Sequence, residues 1–531
     1  MPARLRAGGG DTHEARRRLA CARWGSGGDG VSGTSREYYF IIPDAQDERV
    51  LVFPEGAAWT VPHAAGPGAS RWQATAQVNQ VANEALQIRA TTRRCVSTDM
   101  DPGSPVQELV YAIENHALTW TLPSAARWLD AAEAASLPLA TPGMKRVLEE
   151  WFAWVHAADT TLRVPWYQPS WTNEAGRWIV QQLAVLDSKP TGPVEQVCSW
   201  QRSCVMRLPT THGMVYFKAV PAALGQEVDV TVLLDHEYHG MVPEVLAIDA
   251  DRRWMLMRDM GAQTLDAVPG LEQWKAAVRT YAQLQVDWVD VTRRFSVAGC
   301  PSRGLLQLVE AIDRLLTDTV ALRPGQEDGL TMKQIHALHY RARALKIAAH
   351  RLGTLRLPTS VDHGDFWAGQ IIRGANGPVF IDWSDACLSH PFLSMAFFSD
   401  PDELRPYLGD IPDASAQLRD AYLEPWTVYE PYDTLTQAWS IACSLAPLSS
   451  ALLYHDRILP VTEVKWELEN MIPFFLHSVL RHQGEALPTL GMADYEQQAE
   501  SFEYEQEGLQ SVEPASNVRS QLDVQRLNLP H

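Results

Sequence analysis

The sequence predicts an α+β protein with several domains, and three observations support this. Runs of β-like residues occur mainly in residues 37–113 and 194–262, whereas residues 271–480 carry apolar residues at helical spacing. The 531 residues are too many for one ordinary domain. Hydrophobic residues form 46% of the chain, and its 19 tryptophans provide enough apolar volume for well-packed cores.

The charge and the hydropathy of the chain exclude several kinds of partner. The net charge of −19 argues against nucleic-acid binding, which favours a basic face. An acidic surface is compatible with a cationic substrate, although solubility alone would also explain it. No run approaches 18 consecutive apolar residues, and the N-terminus lacks the apolar core of a secretory signal. We therefore predict a cytoplasmic protein with no membrane partner.

The cysteines indicate reduced thiols. They are seven in number, widely scattered and without a C-x-x-C pair, which disfavours both a disulfide scaffold and a zinc site. They are Cys21, Cys95, Cys198, Cys204, Cys300, Cys387 and Cys443.

The first folded domain is predicted over residues 37–156, after a Gly/Arg/Ser-rich segment at 1–36 that is typical of a disordered leader. Tyr38–Ile42 and Arg49–Phe53 flank a polar turn and predict a β-hairpin. A mixed series of elements follows, with a helix at Gln77–Leu86, strands at Ile88–Val96 and Glu108–Ile113, and an amphipathic helix at Gly143–His156.

This order resembles a Nudix hydrolase domain, in which one helix carries a cluster of glutamates that binds Mg²⁺. The matching helix here offers only Glu84, with the neutral neighbours Gln80 and Asn83. One carboxylate does not replace the ligand cluster that a hard dication requires. The resemblance therefore implies a degenerate Nudix-like domain that binds a ligand or serves as a scaffold, and active Nudix hydrolysis is disfavoured.

Residues 157–193 are predicted to connect this domain to the next. Thr172 and Asn173 are candidate N-terminal caps for a helix, and a Lys-Pro-Thr-Gly-Pro segment at 189–193 marks a boundary.

The next domain, residues 194–262, places one lysine in an apolar strand. The β-like runs are Glu195–Arg207 and Met214–Val220, and Lys218 lies within the second. A buried lysine is costly without an anionic partner, which Glu227 can supply nine residues later at the start of a predicted helix. Asp229 and Glu237 are alternative partners, and a surface lysine on an edge strand is the alternative for Lys218 itself.

The stretch from Val361 to Phe398 contains the strongest motif. It combines His363-Gly364-Asp365, Gln370, a Gly/Asn turn and Asp382-Trp383. Asp365 and Asp382 are 17 residues apart, each at the end of a short β-like run, and can face one another across a hairpin. Such a pair is suited to positioning a hydroxyl group and a phosphate-bound cation.

This stretch, with the upstream lysine and glutamate, resembles the aminoglycoside phosphotransferase and choline kinase-type family. The resemblance implies a bilobal protein kinase-like phosphotransferase fold in which Asp365 is the catalytic base and His363 holds its loop. Asp382 and Gln370 would bind Mg²⁺, and Lys218, oriented by Glu227, would hold the ATP phosphates. Two departures are Gln370, where the family has the shorter Asn, and His390-Pro391, where relatives often have Asp-Pro.

The same resemblance assigns further ATP contacts. The phosphate-covering loop would lie at residues 199–203, which contain no glycine, so Ser203 would offer its hydroxyl. Trp254–Gly261 would form the hinge against adenine, with Met257 and Asp259 as contacts. Residues 263–494 would form the helical C-lobe, where Asp385 either assists the metal or caps the next turn. Residues 495–531 are predicted to be an acidic disordered tail.

The implied activity is transfer of the γ-phosphate of ATP to a hydroxyl group of a small molecule, with Mg²⁺ as cofactor. A second hypothesis is a nucleotide-binding pseudokinase that acts as a metabolite sensor, because the predicted metal site, the phosphate loop and the N-terminal domain all depart from their families.

Overall fold

The computed structural model describes residues 36–481 except 68–70, 102, 103, 105, 118, 262 and 269. The predicted leader before residue 36 and the predicted acidic tail lie outside the described residues. The chain forms two compact units. The first contains the residues up to 228 together with 244–259 and 462–464, and the second contains 229–243, 260–461 and the residues after 464. The mixture of helices and sheets confirms the α+β prediction.

The first unit begins with two small sheets. The larger has the strand order β4-β1-β6-β5, with β1 and β6 parallel and the other pairs antiparallel; the smaller has the order β3-β2-β7. The strands are β1 (Arg36–Ile41), β2 (Arg49–Glu55), β3 (Ala58–Thr60), β4 (His63–Gly66), β5 (Ala90–Ser97), β6 (Gln107–Asn115) and β7 (Arg127–Asp130).

The predicted hairpin between the first two strands is wrong, although both strands exist. Only an isolated bridge joins them, between Pro43 and Val50. β1 pairs instead with β4 and β6, and β2 pairs with β3 and β7. Both strands are buried on several residues, and their pairing is decided by non-local packing that neighbouring sequence does not encode.

Three helices pack in this region, namely α1 (Thr75–Leu86), α2 (Ala131–Ser136) and α3 (Pro142–Val155). α2 begins with a capping box in which Asp130 and Glu133 satisfy each other's backbone N–H groups. α3 has a Thr141 cap and proline at its first position. Its buried face, which includes Trp151 and Phe152, packs into the core formed with the two sheets.

The connector contributes to the core of the next sheet. Its helix α4 (Trp171–Val185) begins after Ser170, which has a left-handed φ of 64°. The predicted caps Thr172 and Asn173 are therefore wrong, since both lie inside the helix. Trp171 and Trp178 pack edge-on or tilted against Phe217 and Trp254, with ring centroids 5.7–6.1 Å apart.

A five-stranded antiparallel sheet completes the first unit. Its strand order is β11-β12-β10-β9-β8. The single run predicted at Glu195–Arg207 is two strands joined by a tight turn. The strands are β8 (Glu195–Trp200), β9 (Ser203–Thr210), β10 (Gly213–Ala219), β11 (Val245–Asp249) and β12 (Trp254–Arg258), and helix α5 (Gln226–Glu237) follows β10.

The second unit is mainly helical and holds two short antiparallel sheets. The strands are β13 (Ser360–Asp362) paired with β16 (Cys387–Ser389), and β14 (Ile371–Gly374) paired with β15 (Gly377–Phe380). The helices are α6 (Leu271–Trp288), α7 (Thr292–Val297), α8 (Leu305–Thr317), α9 (Thr319–Leu322), α10 (Met332–Thr354), α11 (Phe392–Phe398), α12 (Pro401–Leu408), α13 (Ala414–Trp426), α14 (Tyr432–Leu453) and α15 (Met471–Arg481).

Two properties of the described part of the chain bear on the composition arguments. None of its helices combines the length and the apolar character that crossing a membrane would demand. The six cysteines within it are free thiols, five buried and one half-buried.

Candidate active site

Lys218 and Glu227 form a buried ion pair in the first unit. Lys218 lies on β10, between Val205 of β9 and Met255 of β12. Its Nζ is 2.5 Å from Oε1 of Glu227 on α5, and the two side chains are only 7% and 2% exposed. Of the three partners considered, the structure selects Glu227 for this lysine, whereas Glu237 pairs with Arg294.

Breaking this pair is expected to destabilise the protein strongly. In Lys218→Met the Glu227 carboxylate stays buried without its cation, and we expect the free energy of unfolding to fall by roughly 3–5 kcal/mol. Lys218→Met/Glu227→Met is expected to recover most of that loss. Urea unfolding of the three proteins measures both effects.

The exposed pair Arg207–Glu195 provides the matched control, because its side chains are 40% and 48% exposed at 2.7 Å. Arg207→Met should lower stability by less than about 1 kcal/mol. Equal losses in the single and double Lys218 variants would contradict the account.

In the second unit, the β14–β15 hairpin brings Gln370 and Asp382 together. Ile371 pairs with Phe380, and the N–H of Ile381 donates to the Gln370 carbonyl at 2.9 Å. The side chains of Gln370 and Asp382 therefore lie at the same end of the hairpin. Nε2 of Gln370 donates to Oδ2 of Asp382 at 3.2 Å.

Asp382 has an unusual backbone. Its φ of 63° and ψ of 66° lie in the left-handed region, and a short 3₁₀ turn, Trp383–Asp385, follows at once. Aspartate tolerates this region better than most residues, and backbone strain of this kind clusters at functional sites. The chain thus turns sharply at the carboxylate.

Gln370 carries a buried oxygen with an unmet hydrogen-bonding capacity. The residue is fully buried, and its Oε1 has no hydrogen-bond partner among the described residues. Rotating the amide by 180° would bring Oε1 to the Asp382 carboxylate, and the assignment of amide O and N rests on the surrounding hydrogen bonds. In that orientation Gln370 and Asp382 would both offer oxygen atoms, the ligand type that a hard dication prefers.

Any such cation would need ligands from outside the protein. Across residues 36–481, where they are described, no group of three or more His, Cys, Asp or Glu side chains is arranged to hold a metal. Mg²⁺ is commonly held by one or two protein carboxylates together with waters and substrate phosphates. Asp382 and Gln370 match that kind of partial site.

His363 fixes the loop that carries Asp365. It is fully buried and donates from Nε2 to the Ile381 carbonyl at 2.9 Å. Burial lowers the pKa of His363, and the carboxylates of Asp365, Asp382 and Asp385 oppose that shift. The ring therefore links this loop to the strand that leads into Asp382, and all three carboxylates act on it electrostatically.

Gly364 and Asp385 approach each other closely. Gly364 has a φ of 79°, and a Cβ at this position would lie 2.1 Å from the Asp385 carbonyl oxygen. Only glycine fits here. Asp365, the next residue, is half-buried.

A buried carboxylate that the sequence did not single out, Asp362, supports the same loop. It accepts hydrogen bonds from Ser394 Oγ at 2.8 Å and from the Tyr281 hydroxyl at 3.4 Å. The Ser394 hydroxyl in turn accepts a hydrogen bond from the backbone N–H of Gly364 at 3.2 Å. The Tyr281 hydroxyl accepts one from the backbone N–H of His363 at 2.9 Å. Asp362 thus holds the backbone immediately before Asp365. The sequence feature that could have identified Asp362 is an acidic residue at the end of an apolar strand.

Asp362 should make stability depend on pH. Burial raises the pKa of Asp362 from 3.8 to about 6, against lowering effects of Ser394 and Arg303. Because the folded protein holds the proton more tightly than the unfolded chain, stability falls as pH rises from about 4 to about 6 and is then constant. We expect the free energy of unfolding of Asp362→Asn to lack this decline. Between pH 4 and pH 6 the wild type should therefore lose roughly 3 kcal/mol relative to the variant. Melting temperatures of both proteins from pH 4 to 7 measure it, and parallel curves would refute it.

The predicted ATP contacts of the first unit are placed as follows. Ser203 is 3% exposed, and its hydroxyl accepts the Trp200 indole N–H at 3.2 Å, so it reaches a phosphate only if the turn rearranges. Met257 lies on β12 between Tyr216 and Val245, and the Asp259 N–H already donates to the Met214 carbonyl at 3.1 Å.

The predicted site residues therefore fall into two groups. Lys218, Glu227, Ser203, Met257 and Asp259 lie in the first unit. The second unit holds the others, which are His363, Asp365, Gln370 and Asp382. A hydrogen bond joins Lys218 to Glu227 in the first unit, and another joins Gln370 to Asp382 in the second.

Comparison with known proteins adds a family and several solved structures. Residues 167–427 match the model of the Phosphotransferase enzyme family. A complex of APH(2")-IIia with GDP and kanamycin is 15% identical, with a TM-score of 0.40 over 58% of this chain and 99% of that one. A choline/ethanolamine kinase family protein from Mesorhizobium loti is 17% identical, with a TM-score of 0.39 over 59% and 96%.

The aminoglycoside phosphotransferase APH(3'')-Id from Streptomyces rimosus, in complex with ADP and streptomycin, is 18% identical, with a TM-score of 0.33 over 50% and 98%. No curated protein matches the sequence. The matched residues 167–427 contain every residue predicted for the site. Just under half of this chain therefore matches the phosphotransferase enzyme family.

Proposed function

We propose that the protein transfers the γ-phosphate of ATP to a hydroxyl group of a small molecule and requires Mg²⁺. The main support for the proposal is that the residues matching the family include the predicted site residues. Residues 167–427 include both contacting pairs, Lys218–Glu227 and Gln370–Asp382, as well as Asp365. A buried lysine–glutamate pair and a loop aspartate are the parts that phosphoryl transfer needs.

Each residue has a distinct task in this reaction. Lys218, fixed by Glu227, offsets charge on the nucleotide phosphates. Asp382 and Gln370 would hold Mg²⁺, which would supply positive charge against the phosphate oxygens. Asp365 orients the acceptor hydroxyl and accepts its proton as the new O–P bond forms. The bond from the γ-phosphorus to its bridging oxygen breaks, and ADP leaves.

The acceptor is proposed to carry a positive charge. The chain has a net charge of −19, which attracts cations and repels acidic substrates. Amino sugars, choline and other amino alcohols are the matching chemical class, and neutral sugars and polyols serve as the comparison.

The proposal is tested by ADP release from Mg-ATP in the presence of these acceptors. We expect at least one cationic alcohol to raise ADP formation above the acceptor-free rate. Absence of any acceptor-dependent turnover, in a protein that binds ATP, would reject the enzymatic function.

A nucleotide-binding regulator is the second candidate. Gln370 in the metal site and the glycine-free turn at 199–203 favour it, as does an N-terminal domain whose α1 helix offers only Glu84 as a carboxylate. Thermal-shift titration with ATP separates the two functions. Stabilisation that does not depend on Mg²⁺, without turnover, would identify the regulator.

A further inference from the structure

The edge of the N-terminal sheet meets the edge of the five-stranded sheet through the side chain of Gln196. This residue of β8 donates from Nε2 to the Thr92 carbonyl at 2.8 Å, and its Oε1 accepts the Thr92 N–H at 2.8 Å. Thr92 lies on β5, which pairs with only one strand among the described residues. The amide side chain therefore satisfies the open edge of β5 as a neighbouring strand would.

Asn79 of helix α1 completes this contact. Its Nδ2 donates to Oε1 of Gln196 at 3.0 Å, and its Oδ1 accepts the Thr92 hydroxyl at 2.7 Å. The three residues are 7%, 3% and 1% exposed, in the order Asn79, Gln196, Thr92. A buried network in which each member is bonded specifies one arrangement of the strands and helix that carry it.

The same domain contacts the turn between β8 and β9, residues 199–203, which we call the hairpin tip. Ser199 donates its N–H to the Gln73 carbonyl at 3.2 Å and its hydroxyl to the Arg93 carbonyl at 2.9 Å. Ala74 forms an antiparallel bridge with Cys198. Two backbone positions of the N-terminal domain, on either side of α1, thus hold the start of the tip.

Two further parts of the first unit hold the rest of the tip. The Trp166 indole donates to the Trp200 carbonyl at 2.9 Å. The Gln201 side chain bonds both the N–H and the carbonyl of Val464, at 2.6 and 2.7 Å. All five residues of the tip are at most 8% exposed.

The hairpin tip contains no glycine, and its anchoring therefore bears on how it could serve nucleotide binding. Glycine-rich phosphate loops depend on backbone freedom to bring their amides to the nucleotide. A tip without glycine lacks that freedom, and its backbone must be set in place by its neighbours.

We infer that residues 36–156 are a positioning element for the nucleotide. Through Gln196 and Ser199 they hold the hairpin tip, and with it strands β8 and β9, beside strand β10, which carries Lys218, the residue proposed to bind the ATP phosphates. The nucleotide part of this inference rests on the proposed function, and the anchoring part does not. Loosening the tip is expected to weaken nucleotide binding, because the tip then has to be ordered when the nucleotide binds.

The test uses the full chain and the variant Ser199→Ala, which removes the hydroxyl that bonds Arg93. We expect the Kd for Mg-ADP and the KM for ATP to rise about five- to tenfold, with kcat little changed. Ser199→Thr keeps the hydroxyl and should restore most of the affinity. Ser136→Ala is the matched control, since its exposed hydroxyl also donates to a carbonyl of the same domain, that of Glu133.

Hydrogen–deuterium exchange of the peptide that covers residues 199–203 gives a readout without nucleotide. Exchange should accelerate in Ser199→Ala and in Gln196→Leu, and stay at the wild-type rate in Ser136→Ala. Unchanged exchange in both variants would overturn the inference, as would unchanged or tighter Mg-ADP binding by Ser199→Ala. A wild-type protein that binds no nucleotide would instead reject the proposed function.

Discussion

Replacing Asp365 with asparagine is expected to lower the rate of phosphate transfer by roughly 10²- to 10⁴-fold, the usual contribution of a general base. Asparagine keeps the shape of the side chain but cannot accept the proton of the acceptor hydroxyl. His363 and Asp362 hold the loop through hydrogen bonds of the His363 ring and of the backbone N–H groups of His363 and Gly364. The fold and the affinity for ATP should therefore remain. Steady-state turnover, with calorimetric titration of ATP, measures both.

Asp410→Asn is the control for this change, because the Asp410 side chain is 97% exposed in the same unit. It should leave turnover and binding unchanged. Turnover retained in Asp365→Asn would remove the proposed role of Asp365, and loss of ATP binding would show that the substitution disturbs more than proton transfer.

Asp382→Asn is expected to abolish the dependence of ATP binding on Mg²⁺ and to reduce turnover by roughly 10³-fold or more. The Asp382 carboxylate accepts a hydrogen bond from Gln370, whose oxygen would complete the proposed metal site. Titrating ATP with and without Mg²⁺, for wild type and variant, gives the size of the metal effect directly.

The variant Asp385→Asn distinguishes the role of Asp385 from that of Asp382. Asp385 ends the 3₁₀ turn and lies under Gly364, and it is 5% exposed. If it shapes the turn and does not bind the metal, its variant should keep the Mg²⁺ dependence of ATP binding even where stability falls. Loss of that dependence in Asp385→Asn, with retention in Asp382→Asn, would reverse the assignment.

The sequence was sufficient for those site contacts that depend on nearby residues. Lys218 in an apolar strand required an anion, and a glutamate nine residues later could supply it because a helix begins there. The hairpin with a Gly/Asn turn was predicted to set Asp365 opposite Asp382, whereas the hairpin that forms has Gln370 and Asp382 at its ends, a pair that only the family resemblance had placed together. In both cases the geometry depends on one local element pair.

Contacts between distant segments could not be predicted in this way. Ser394 and Tyr281, which support the loop before Asp365, lie 32 and 81 residues from Asp362. Asn79 and Gln196 are 117 residues apart. The failed hairpin of β1 and β2 has the same cause, because strand partners are chosen by burial and register across the whole domain. Periodicity identifies the elements but not their partners.

Phosphorus NMR of a reaction of the protein with ATP, Mg²⁺ and cationic alcohols shows whether the γ-phosphate of ATP is transferred to the hydroxyl group of an acceptor. We expect the γ-phosphate signal of ATP to be replaced by a phosphomonoester signal, in equal amount to the ADP formed, only when an acceptor and Mg²⁺ are both present. Conversion of ATP to ADP and inorganic phosphate alone, or no conversion by a protein that binds ATP, would contradict it.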